Sequence, residues 1–178
     1  MKNEPTSLQS TFHFNPFGGL KESEIVDVIV PSINLDLLIE SLNSSSEIII
    51  ELVGKKGRGK TLHLRYLKLI FPDCPIFFLN KNFIAKDALL QHKSDIILID
   101  SIHHLNFLDR IKLFKTRKKI ILTTHTSRKW EYRMARKPFE IFRFKGIEQS
   151  TLKDIIYNRL KIASNHQESL TDISDEKI

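Results

Sequence analysis

The sequence predicts an α/β fold, a five-stranded parallel sheet with helices on both faces, and three observations carry the prediction. From residue 47 onward, short apolar runs alternate with helix-length amphipathic stretches, and that alternation builds parallel sheets through right-handed crossovers. Two of the runs, Ile48–Val53 and Ile96–Ile99, are almost unbroken Ile, Leu and Val, as strands covered on both faces require. The first of them leads directly into a loop rich in glycine and lysine, with a helical pattern behind it. Such a loop turns the chain tightly and aims its amides at an anion.

The elements follow in order. Residues 1–16 are polar and without periodicity and are expected to form a loose arm. Apolar side chains at 33, 35, 37, 38, 39 and 42, with Ser32 as N-cap, predict a buried helix that Asn43-Ser44-Ser45-Ser46 ends. Strands are expected at Ile48–Val53, Pro75–Leu79, Ile96–Ile99, Ile120–Thr123 and Phe139–Phe144. Crossover helices are expected at Thr61–Phe71, Asn82–His92, His103–Phe114 and Ser127–Arg136. Residues 150–163 place apolar groups at 152, 155, 156, 160 and 163, the stripe of a capped amphipathic helix. The expected organisation is thus an arm (1–16), a core (17–146), an appended helix (147–163) and a flexible acidic tail (164–178).

A chain of 178 residues suits one domain. Its lone cysteine, Cys74, cannot form an intramolecular disulfide or a thiolate metal cluster. The histidines form no HxH or HxxxH pair beside an acidic cluster, so no zinc site is expected. No apolar run approaches the ~20 residues of a membrane span, and the N-terminus is too polar for a signal peptide. A cytoplasmic protein without membrane contact is the expectation. The net charge of +7 is unevenly spread: −6 over residues 1–53, +6 over 54–70, −1 over 71–108, +10 over 109–145 and −2 over 146–178. Two basic blocks on an acidic background suggest anionic partners, although solubility alone also accounts for them.

The first block contains Gly54-Lys55-Lys56-Gly57-Arg58-Gly59-Lys60-Thr61, which fits G-x-x-x-x-G-K-[ST], the phosphate-binding P-loop. Glycine lets the backbone cradle a phosphate, Lys60 can reach the outer phosphates, and the Thr61 hydroxyl can hold Mg²⁺. The expected nucleotide-binding set runs from Gly54 through Leu62, with Lys55, Lys56 and Arg58 read as solvated charge that the motif does not require. A P-loop also needs a carboxylate at a neighbouring strand end to hold the metal. Ile96-Ile97-Leu98-Ile99-Asp100 supplies one. Helix capping is the competing role for Asp100, and the P-loop upstream favours the metal, so Thr61 and Asp100 are the expected metal ligands.

This pair resembles the Walker A and Walker B motifs of P-loop NTPases, and the order of elements narrows the resemblance to the additional-strand division, most like AAA+ and STAND ATPases. That resemblance implies a three-layer sandwich with sheet order 5-1-4-3-2, and ATP and Mg²⁺ as cofactors. The strand Ile-Ile-Leu-Thr-Thr-His (120–125) looks like the sensor-1 strand, which implies a catalytic contact from Thr124 or, second, His125. His125 is also reminiscent of the switch histidine of ABC proteins, but no LSGGQ signature is present. Asn15-Pro16-Phe17 resembles the entry to an AAA+ core, and residues 151–160 resemble a first lid helix. An arginine finger would fall near Arg133 or Arg136, with surface charge as the plainer reading of each.

Two departures matter. The position after Asp100, usually a glutamate that polarises water, is Ser101, which cannot act as a base at neutral pH. His103 and His104 are the alternative groups for that task, yet each reads more simply as a packing or surface residue. The chain also ends soon after the lid-like helix, so a truncated lid is expected. Binding is therefore expected and hydrolysis expected to be slow or partner-dependent, catalytic candidates being Asp100, Thr124, His125 and Arg136.

The second basic block, 109–145, interleaves Phe114, Trp130, Tyr132 and Phe139 with its lysines and arginines, a composition suited to nucleic-acid backbone and bases or to a solvated helix face over core aromatics. Three functions stay open at this stage: a nucleotide switch that helps a DNA-associated process with a protein partner or in a homo-oligomer, a small nucleoside or nucleotide kinase, and a non-hydrolysing adaptor. No guanine-reading Asn-Lys-x-Asp is present, which favours ATP over GTP.

Overall fold

The computed structural model describes residues 19–80, 86–146 and 148–164. In chain order its elements are α1 (Glu22–Val28), α2 (Leu35–Ser44), β1 (Ile48–Val53), α3 (Lys60–Ile70), β2 (Ile76–Phe78) and α4 (Lys86–Gln91). Then come β3 (Ile96–Asp100), a 3₁₀ turn (Ile102–His104), α5 (Phe107–Phe114), β4 (Lys119–Thr124), α6 (Lys129–Met134), β5 (Phe139–Arg143) and α7 (Gln149–Ser164). The chain divides into two compact units, Pro31–Ile147 and the segments that flank it. In the flanking unit α1 packs on α7, with Ile25, Val28 and Ala163 buried.

The larger unit is built on one sheet in the order β2-β3-β4-β1-β5, every neighbouring pair parallel. This is the expected order read from the opposite edge. Strand alternation sorts the core into two layers. Ile48, Ile50, Leu52, Leu98 and Ile121 meet Leu38 and Leu42 of α2 and Leu64 and Leu67 of α3. Ile49, Ile97, Ile99, Ile120 and Leu122 meet Leu89 of α4, Leu113 and Phe114 of α5, and Tyr132 of α6.

The structure moves two helix starts. The N-cap of α2 is Asn34, whose side chain accepts from Leu37 N at 3.0 Å, and not Ser32, which stands two residues too early for a helix that begins at Leu35. The stretch expected as one helix over 103–114 is two elements. The 3₁₀ turn stops at Leu105, and Asn106, in extended backbone, caps α5 by accepting from Asp109 N at 2.9 Å. A local side-chain acceptor here outcompetes continuation of the helix. Residues 81–85 lie outside the described residues, as do the expected arm, the Asn15-Pro16-Phe17 motif and the tail beyond Ser164.

Alternation also places Glu51 of β1 on the α5–α6 side, fully buried. Its carboxylate accepts from Tyr132 Oη at 2.7 Å, Arg128 N at 2.8 Å and Ser127 Oγ at 2.6 Å. Beside it Glu131, also fully buried, takes a two-pronged bond from Arg110 (2.7 and 2.8 Å) and one from Arg128 Nη1 (2.8 Å), while Arg110 Nη1 donates to Leu105 O. Burial pushes the Glu131 carboxyl up, but the two guanidiniums outweigh it and hold it below the ordinary carboxylate range. Arg110 and Arg128, expected as surface cations of the second basic block, are therefore partners of internal carboxylates. Phe114 and Tyr132, for which base stacking and core packing both stood open, are core.

Removing one member of a buried ion cluster strands the rest without compensation and typically costs about 3–5 kcal/mol. Glu131→Gln should lower the free energy of unfolding by that order in urea titrations. A loss below about 1 kcal/mol, the range of exposed pairs, would contradict the role given to this cluster.

Candidate functional site

The parallel strands end at one edge, and a cleft of about 470 Å³ opens there, within the larger unit. This is where ligands sit on open parallel sheets. Its floor is the loop between β1 and α3. Gly54 N donates to Thr124 O at 3.2 Å, and Phe144 N donates to Val53 O at 2.8 Å. A Cβ on Gly54 would lie 2.7 Å from Phe144 O, so only glycine fits where the chain leaves β1. Gly57 and Gly59 have φ of +78° and +80°, in the left-handed region that disfavours side chains. Lys55 and Lys56 are exposed, Arg58 and Leu62 half-buried.

Lys60, the first residue of α3, is buried. Its ammonium donates to Gly54 O at 2.6 Å and Lys55 O at 2.8 Å, which leaves one of its three donors for a ligand. Burial lowers its pKa below the ordinary lysine value, and the Asp100 charge pulls partly the other way. Thr61 Oγ1 donates to Asp100 Oδ1 at 3.0 Å. The structure thus brings Lys60, Thr61 and Asp100 together along one wall of the cleft.

Thr123, not singled out from the sequence, completes this cluster. Its hydroxyl donates to Asp100 Oδ1 at 2.6 Å and accepts from Ser101 N at 2.8 Å. Thr124 also lines the cleft, but its hydroxyl is turned to its own loop, donating to Thr126 O at 2.9 Å. Ser101 lies at φ +64° with its hydroxyl 3.5 Å from Asp100 Oδ2. His103, His104 and His125 also line the cleft, the ring centroids 4.2 Å apart for the first two and 5.1 Å for His103 and His125. Burial first, then the neighbouring His104, His125 and Arg128, lowers the His103 pKa, with Asp100 opposing. Its buried Nδ1 has no hydrogen-bond partner among the described residues. His125 Nδ1 is 3.4 Å from Gly54 O. Arg136 is exposed and, like Arg133, stands outside the cleft lining.

His63 is a second residue that sequence reasoning missed. It is buried one turn into α3. Its Nε2 accepts from Ser32 N at 3.1 Å, so the proton of the neutral ring sits on Nδ1, which donates to Gly59 O at 2.9 Å. The ring also meets Phe144 edge-on at 4.8 Å. His63 therefore ties the end of the glycine loop to the segment before α2. Burial lowers its pKa, against the opposing bond to Gly59.

An unfolded histidine takes up its proton near pH 6.5, and His63 and His103 do so lower when folded. Below about pH 6.5 the unfolded chain binds more protons, so stability falls as pH drops. Urea midpoints measured on either side of that pH should show this fall, and His63→Gln should reduce it. A wild-type midpoint that does not move would contradict the assignment.

The sequence matches no family model and no curated protein. Among solved structures, the Thermotoga maritima RuvB Holliday junction branch migration motor aligns at a TM-score of 0.50 and 19% identity, over 70% of this chain and 47% of that one. A point variant of Thermotoga maritima RuvB aligns at the same TM-score and coverage with 18% identity. The matched region is about half the length of those chains, and the likeness is one of fold: an α/β sandwich on a parallel sheet.

Proposed function

We propose that this chain binds ATP together with Mg²⁺ in the cleft and acts as a nucleotide switch whose hydrolysis is slow or depends on a partner. The observation that supports it best is the convergence of Lys60, Thr61 and Asp100 at the end of a glycine loop whose backbone excludes side chains. Fit favours the metal: a hydroxyl and a carboxylate 3.0 Å apart are hard oxygen donors of the kind Mg²⁺ uses beside phosphates. When bound, the ion would neutralise charge between the outer phosphates. Thr61 and Asp100 would hold it, Thr123 would fix the carboxylate, and the free amides of the loop with Lys60 would hold the phosphates.

Slow turnover follows from what stands after Asp100. Ser101 offers no base, and its left-handed backbone puts its amide on Thr123 and not toward the cleft. The imidazoles of His103 and His125 are the proton acceptors at hand, and Thr124 lines the same cleft with its hydroxyl on Thr126 O. An arginine finger from Arg136 would have to reach a neighbouring copy's cleft, because Arg136 stands outside its own. The exposed part of the second basic block is where a nucleic-acid partner would be met.

Titration with a fluorescent ATP analogue and Mg²⁺ tests the reading. Lys60→Ala should weaken binding by roughly tenfold to hundredfold, the worth of one charge-assisted bond. Unchanged affinity in this variant would overturn the proposal. Ser101→Glu should raise phosphate release roughly a hundredfold, the low side of what a positioned base contributes. A variant that binds ATP yet releases no more phosphate than wild type would remove the missing glutamate as the reason for slow turnover.

A further inference from the structure

Helices α5 and α6 pack against each other and present a face that the core does not use. Trp130 is 53% exposed and lies on Phe107 with ring centroids 5.5 Å apart and planes 21° from parallel. Leu108 (68% exposed) and Met134 (53% exposed) extend the apolar surface on either helix. Helical spacing sets Arg133 and Met134 beside Trp130, Lys129 one turn from Arg133, and Lys112 one turn from Leu108. All three cations are exposed. The carboxylates nearby are spoken for: Glu131 is buried between two arginines, and Asp109 is held by Asn106 at 2.7 Å.

We propose that this face binds single-stranded nucleic acid, one base stacking on Trp130 while Lys112, Lys129 and Arg133 take adjacent phosphates. Charge and shape select this occupant. A second copy of the same face would bring like charges together. An acidic protein would satisfy the lysines but has no need of a flat indole supported from behind by a second ring. A duplex keeps its base faces covered, whereas a single strand offers them, and stacking combined with a cationic track is the usual solution for such strands. The platform also hangs on the two connections that form the cleft. One runs from Asp100 through His103 and His104 to Phe107, the other from Thr124 through His125 to Trp130. The proposal deepens the partner in the reading above and does not itself need nucleotide in the cleft.

Trp130 is the only tryptophan in the chain, so intrinsic fluorescence of the full chain reports the platform directly. Titration with oligothymidylate and with oligouridylate, without nucleotide, should give saturable quenching that weakens as salt rises. Trp130→Ala should weaken affinity, read by anisotropy of a labelled strand, by roughly 5- to 150-fold. Trp130→Phe should keep most of it, and Arg133→Glu should weaken binding and flatten the salt dependence. Circular dichroism of these surface variants should match wild type. Binding that Trp130→Ala leaves unchanged, or fluorescence that neither strand alters, would overturn the proposal. So would a fluorescence blue-shift that grows with protein concentration alone, because a second copy would then cover the face. ATP titration of the same preparation separates the two readings. A chain that binds the strand but not ATP sinks only the nucleotide reading, and one that binds ATP with an unresponsive Trp130 sinks only this one.

Discussion

β1 is hydrogen-bonded on both sides, to β4 and to β5, and the geometry of the cleft depends on how the chain leaves it. A strand held on both sides cannot fray, so the next residue inherits a fixed position. The Gly54 amide is still bonded to Thr124 O, and the carbonyl of Phe144 stands where a side chain on Gly54 would go. The loop is therefore forced over the sheet edge at one point, and α3 must begin there. In parallel register Val53 pairs with Thr124, and Leu52 with Thr123. β3, alongside β4, then ends with Asp100 within reach of Thr123 and Thr61. One strand boundary thus sets where the lysine, the hydroxyl and the carboxylate meet.

The same strand carries a cost that stabilises the site. Glu51 sits mid-strand and fully buried, where an unpaired carboxylate would be strongly unfavourable. Its three donors come from Ser127, Arg128 and Tyr132, all on the stretch that follows β4. This bonding anchors the segment immediately after His125 to the centre of the sheet. The arginine whose amide serves Glu51 also pairs with Glu131 through its side chain. Backbone position after β4 and the docking of α6 are accordingly one electrostatic unit. Tyr132, held against Glu51 and buried, has its hydroxyl pKa pushed up, so it remains a donor at any ordinary pH.

The fold was legible because apolar periodicity and glycine placement are local signals. Ile48–Val53 and Ile96–Ile99 have no other economical use than as covered strands, and the glycines at 54, 57 and 59 mark positions where backbone and not side chain is wanted. The residues that escaped reading depend on long-range placement. Thr123 and Thr124 are adjacent hydroxyls, and side chains alternate across a strand, so one residue of register decides which of them meets Asp100. Glu51 and Glu131 look like solvent-facing charges until the sheet parity and the packing of α6 are known. His63 reads as one more polar residue on a helix, yet its partners, Ser32 and Gly59, come from two separate segments. Asn34 and Ser32 are both competent cap types, and the choice falls to Asn34 because the helical turn begins at Leu35, with Leu37 N within reach of the Asn34 side chain.

Charge shows the same dependence on placement. Read along the chain, 109–145 is a block of thirteen cations and three carboxylates, which suggests a uniform basic surface. In the folded unit Arg110 and Arg128 neutralise Glu131, and Lys137 is buried between Glu47 and Thr116 O. Lys118 and Lys119 donate to carbonyls of other segments, at Ser94 and Leu42 respectively. These residues fasten one segment to another and have little freedom to follow a ligand. Exposed cations remain on α5 and α6 beside the aromatic pair, at Lys112, Lys129 and Arg133, and outside those helices at Lys115, Arg117, Arg136, Arg143 and Lys145. A surface potential is set by which charges are uncompensated and where they sit, so a net charge of +7 says little by itself. Its weight falls at the glycine loop and on the exposed cations of 109–145, and the connections through His103 and His125 join the cleft to those on α5 and α6.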